Sequence, residues 1–124
     1  MTSMKNLKTP LRYPGGKSRA CTKLAQHFPD LKSYTKYREP FLGGGSVALY
    51  VSKLYPNLDI WVNDLYRPLA IFWQQLQHDG DAMQDKLWSI KNNYPDRDTA
   101  RELFIQSKED VNDETKDDFS RAVS

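Results

Sequence analysis

One cysteine, Cys21, stands among the 124 residues, so neither an intrachain disulfide framework nor a cysteine metal cluster can form, and a reducing compartment is the expectation. Histidine is nearly as scarce. His27 and His78 have no acids or further histidines at metal-ligand spacing, so no metal site is expected and both are assigned to the surface or a helix end. No apolar run approaches transmembrane length, and the N-terminus lacks the apolar stretch of about 7 to 15 residues that a signal peptide needs. The expectation is a soluble, cytoplasmic protein with no membrane partner. A hydrophobic content of 39% excludes disorder throughout and suffices for one small core.

Charge is balanced overall, at a formal +2, but unevenly placed. Residues 1–40 carry nine Lys/Arg against two acids, and residues 81–124 carry seven against eleven. A basic head suits nucleic acid lying across the N-terminal part, and it suits a solvated basic face equally well. Lys5, Lys8, Arg19 and Lys23 are the candidate phosphate contacts.

Glycine is also sparse, with six residues, yet three of them fall together in Glu39-Pro40-Phe41-Leu42-Gly43-Gly44-Gly45-Ser46-Val47-Ala48. This stretch separates a β-prone run, Tyr34 to Leu42, from a helical pattern marked by Val47, Tyr50, Val51 and Leu54. Glycines at a sharp strand-to-helix turn either allow a ligand close to the backbone or simply permit the turn. Gly43, Gly45 and Ala48 satisfy the G-x-G-x-x-A spacing, and a second β-like run, Leu58 to Asp64, ends on an acid about 20 residues later. The unit reads as β-loop-α-β. Glu39 beside the loop would repel a pyrophosphate at the helix N-terminus. S-adenosylmethionine fits better: its sulfonium and ammonium attract an acid, and its ribose diol suits Asp64. A nicotinamide cofactor is the weaker alternative.

A second glycine stretch, Leu11-Arg12-Tyr13-Pro14-Gly15-Gly16-Lys17-Ser18, imitates the end of a phosphate-binding loop, but Leu11 stands where that motif requires glycine. Tyr13 and Lys17 before a helix can stack an adenine or steer an anionic group; the alternative is a turn with a cap at Ser18. Helical spacing covers Arg19 to Phe28, and Leu69, Phe72, Trp73 and Leu76 predict a helix ended by Asp79-Gly80. Beyond Gly80 the pattern is helical, with capping boxes expected at Thr99-x-x-Glu102 and Thr115-x-x-Asp118. Glu109 to Asp118 reads as an acidic connection, and a new helix begins near Phe119.

With these motifs placed, the chain resembles the amino-terminal part of the D12-class adenine-specific DNA methyltransferases, the DNA adenine methylase family. The resemblance rests on Arg12-Tyr13-Pro14-Gly15-Gly16-Lys17, Glu39-Pro40-Phe41-Leu42-Gly43-Gly44-Gly45 and Asn63-Asp64, in family order and spacing. It implies an α/β, Rossmann-like S-adenosylmethionine-dependent fold, incomplete here. Residues 1–80 would form the cofactor-binding portion, and residues 81–124 a helical segment leading toward the target-recognition and catalytic regions. It also implies cofactor contacts from Tyr13, Lys17, Glu39, Phe41, Gly43, Gly45 and Asp64, and double-stranded DNA as partner. Tyr13 stands where some members have tryptophan; either ring offers a stacking face.

The family's Asp-Pro-Pro-Tyr type motif, which holds a flipped adenine, has no counterpart, because no two of the seven prolines are adjacent. No catalytic residue is therefore assigned. A truncated gene, an expressed fragment and a half completed by a second chain each account for this. The alternative class is a non-catalytic cofactor-binding or interaction module that completes or regulates a partner.

Overall fold

The structure, a computed structural model, describes residues 8–124. It is a mixed helix and strand fold in which the chain divides after Asp64 into two compact units.

The first unit contains α1 (Cys21–Ala25), β1 (Lys36–Glu39), α2 (Ser46–Leu54) and β2 (Asp59–Val62). The two strands pair in parallel, with Lys36 opposite Asp59 and Glu39 opposite Val62. Parallel neighbours cannot be joined by a hairpin, and α2 supplies the crossover. Alternation sets the faces: Tyr37, Glu39, Ile60 and Val62 are half-buried, while Lys36, Arg38, Asp59 and Trp61 are exposed. α2 packs against β2 and α1 and buries Ala48 and Val51. The first strand is shorter than the run Tyr34 to Leu42 because the ladder loses its step after Glu39: the Asn63 N–H still donates to the Glu39 carbonyl, but Phe41 does not make the return bond. Pairing resumes one step later, where the Leu42 N–H donates to the Asn63 carbonyl at 2.8 Å. The helical run expected from Arg19 to Phe28 narrows to α1, its continuation tightening into i to i+3 bonds from His27 to Leu24 and from Phe28 to Ala25.

The second unit is helical: α3 (Arg67–Asn93), α4 (Arg97–Asn112) and α5 (Asp118–Val123). The Asp79-Gly80 stop is only a kink. Asp79 alone leaves helical geometry (φ −132°, ψ 38°) and α3 then runs on. Packing outweighs the local signal, because Ile71 before the kink and Met83 after it share a core with Ala122, flanked by Phe72, Leu76, Phe119 and Val123. The same burial holds α5, whose six residues would not form a stable helix alone. Arg121 is buried and donates from Nε to the Val111 carbonyl at 3.1 Å, tying α5 to the end of α4.

The helix caps lie three residues before the threonine of the first expected box and two residues after that of the second. Asp96 accepts from the Thr99 N–H at 2.9 Å and Asp117 from the Ser120 N–H at 2.7 Å. Aspartate binds the third helical N–H as readily as threonine, so Asp-x-x-Thr at 96–99 reads equally as a start. The acidic connection contracts accordingly, since α4 extends through Asn112. No helix among the described residues is long and apolar enough to cross a membrane.

Candidate functional site

Glu39 ends β1 on the half-buried face, which aims its carboxylate at the start of α2. The N-cap there is Gly45, which has no side chain to satisfy the first helical N–H groups. Glu39 fills that role, accepting from the Ala48 N–H. The position where a dinucleotide's pyrophosphate would rest is thus held by a carboxylate of the chain itself.

Burial pushes the Glu39 carboxyl above its ordinary range, against the lowering effect of its bonds from Tyr37 and Ala48. The Tyr37 hydroxyl donates to Glu39 Oε2 at 3.1 Å. Burial, with the Glu39 charge second, raises Tyr37 far above its usual value, so it stays a neutral donor. Cys21 is buried, donates from Sγ to the Lys17 carbonyl at 3.1 Å, and is raised first by burial and then by Glu39. Sequence reading missed Tyr37, although a residue two before Glu39 on one strand shares its face.

The loop between Glu39 and α2 is shaped by two left-handed glycines, Gly43 (φ 56°) and Gly45 (φ 76°). Its carbonyls and N–H groups are engaged from three directions. The Asn63 N–H donates to the Glu39 carbonyl at 2.8 Å, Asn63 Nδ2 donates to the Pro40 carbonyl at 3.1 Å, and the Thr9 hydroxyl donates to the Gly44 carbonyl. The Gly43 N–H donates to Asp64 Oδ2 at 2.9 Å. Asp64 therefore sits at the same sheet edge as the loop, one hydrogen bond from it.

Tyr13 closes the other side. A Cβ on Gly43 would meet its ring at 3.3 Å, and one on Gly44 would stand 2.9 Å from its Cβ. Gly44→Ala should therefore displace the segment carrying Tyr13 and lower stability by about 1–3 kcal/mol. A urea unfolding midpoint unchanged from the parent would contradict this packing.

Tyr13, Lys17, Glu39, Phe41, Gly43 and Gly45 line one cavity of about 290 Å³. That is near the lower end of ligand pockets, which run from roughly 300 Å³ upward. Phe41 is 83% exposed at its rim, and Lys17 Nζ lies 3.4 Å from the Gly15 carbonyl. Asp64 is outside this lining and reaches the site through Gly43.

The basic candidates are not gathered there. Lys8 and Arg19 line a second cavity, Lys23 is exposed on α1, and Lys5 lies outside the described residues. His27 and His78 are exposed, and no group of three His, Cys, Asp or Glu among the described residues could hold a metal ion.

A strand, a glycine loop with an acid ahead of it, a crossover helix and a second parallel strand with Asp64 two residues beyond its end form one β-loop-α-β unit. The sequence model of the D12 class N6 adenine-specific DNA methyltransferases matches residues 13–124, and the chain belongs to that family. It is 26% identical over 112 residues to the Type II methyltransferase M.MjaIII of Methanocaldococcus jannaschii, a match that takes in 86% of this chain and 39% of that protein. The chain thus spans well under half the length of that relative.

Proposed function

We propose that this chain is the S-adenosylmethionine-binding portion of an adenine-specific DNA methyltransferase of Rossmann-like fold. When bound, the cofactor supplies an activated methyl group for the exocyclic amine of adenine. The observation that carries the reading is Glu39. It holds negative charge at the helix N-terminus beside the cavity, where a pyrophosphate would be repelled and a cationic amino acid moiety attracted.

In this reading Glu39 and the Phe41–Gly45 backbone receive the methionine end, the Tyr13 ring and Lys17 border the opposite wall, and Asp64 accepts from the ribose. Residues 1–80 make up the cofactor portion, and residues 81–124 lead toward the target-recognition and catalytic regions. Double-stranded DNA is the substrate and a further polypeptide segment supplies the catalytic half. The nicotinamide alternative loses ground to the same carboxylate.

Calorimetry tests the assignment. S-adenosylmethionine should bind and NAD should not. Asp64→Ala should weaken binding at least about tenfold, the worth of a charge-assisted hydrogen bond. Equal affinity in the variant would leave Asp64 only its bond to Gly43, and preferential NAD binding would overturn the cofactor.

The basic head gives a separate expectation. DNA binding through phosphates should fall steeply with salt, with a logarithmic slope of about −0.9 per contact. Salt-insensitive binding to the chain completed by its catalytic half would refute it.

A further inference from the structure

The second cavity, about 280 Å³, lies between α1 and α2 and has no role in the cofactor reading. Three cations reach it: Lys8 from the N-terminal segment, Arg19 from the turn before α1, and Lys53 from α2. Among the described residues that line it there is no Asp or Glu. Hydroxyls complete the wall, and two of them, Ser18 Oγ and Ser46 Oγ, meet at 2.9 Å. The arrangement follows from helix periodicity, because Ser46, Tyr50 and Lys53 recur at i, i+4 and i+7 and therefore share one face of α2. Ser46 belongs to the walls of both cavities, so the two sites adjoin without coinciding.

We propose that this cavity is a phosphate site, with Lys8, Arg19 and Lys53 neutralising the anion and Ser18 and Ser46 donating to its oxygens. A tetrahedral oxyanion presents three terminal oxygens to donors converging from different elements. The guanidinium and ammonium groups give charge-assisted bonds, and the paired hydroxyls rotate to suit. A carboxylate ligand would leave part of this donor set unused. The phosphate comes either from a DNA backbone or from a free phosphate. The first source rests on the DNA reading given above, whereas the site itself does not.

The experiment is NMR titration of the isotopically labelled 124-residue chain with inorganic phosphate at constant ionic strength, followed by competition with a short DNA duplex. Phosphate should produce saturable shifts at the Ser18, Arg19 and Ser46 amides. Lys53→Gln and Arg19→Gln should each raise its Kd at least about fivefold. Arg19 is exposed, so its variant keeps the test alive if Lys53→Gln does not fold. The duplex should displace phosphate, and Lys53→Gln should reduce the salt slope of duplex binding by about one. Saturable phosphate binding that the duplex does not displace supports the site with a free phosphate and counts against the DNA reading of the basic head. Absence of saturation up to about 50 mM phosphate, or phosphate affinity unchanged in both variants, overturns the proposal whatever the duplex does.

Discussion

Incubated with labelled S-adenosylmethionine and duplex DNA containing adenine targets, the purified 124-residue chain is expected to transfer no methyl groups. Transfer requires the target amine to be held in line with the methyl and sulfur, and a misplacement of about 1 Å costs on the order of a hundredfold in rate. A flipped adenine is held by an acid, backbone carbonyls and an aromatic face, and none of the prolines at 10, 14, 29, 40, 56, 68 and 95 forms the pair such a motif needs. The described fold has a sheet of only two strands, each paired on one side, so an open edge is available on both. A fragment carrying the downstream family region should dock there and restore transfer. Without it, the exposed edges should favour self-association at high concentration. Robust methylation by the chain alone, with host methylase excluded, would overturn this account.

Glu39→Gln should separate binding from stability. Loss of the negative charge at the cavity should reduce S-adenosylmethionine affinity at least about tenfold, because a half-buried carboxylate interacts with a cation more strongly than one in water. Folding should not suffer. The glutamine oxygen can still accept from the Ala48 N–H, the Tyr37 hydroxyl can turn from donor to acceptor for the amide NH2, and the ionised carboxylate is what burial opposes.

The sign follows from the raised carboxyl. Between its unfolded and folded pKa the folded chain holds more proton, so ionisation of Glu39 lowers stability as pH rises through that window. Relative to Glu39→Gln, the parent should therefore gain thermal stability on acidification toward the unfolded carboxyl range. Its cofactor affinity should decline as pH falls through the folded pKa, while the variant shows neither trend. A Gln variant that melts well below the parent at neutral pH would make Glu39 a structural residue first.

The glycine loop was legible because its information is local. Three glycines, an acid before them and an acid just beyond the next strand define a turn whose geometry few other residues permit: Gly43 and Gly45 are left-handed, and the Gly43 N–H donates to Asp64. The second unit was less legible. Asp79-Gly80 carries a sound stop signal, yet α3 passes through it because Met83 and Ile71 are drawn into one core by α5, about 40 to 50 residues away in sequence.

The sequence by itself determined the family motifs, the strand-loop-helix-strand order and the basic head, since each depends on residue type and near spacing. Tertiary structure alone decided two things: that Glu39 caps α2 in place of a glycine without a side chain, and that Lys8 and Arg19 join Lys53 in a pocket apart from the glycine loop. Each depends on which faces of separate elements meet, and burial over long sequence separation fixes that, whereas local propensity does not.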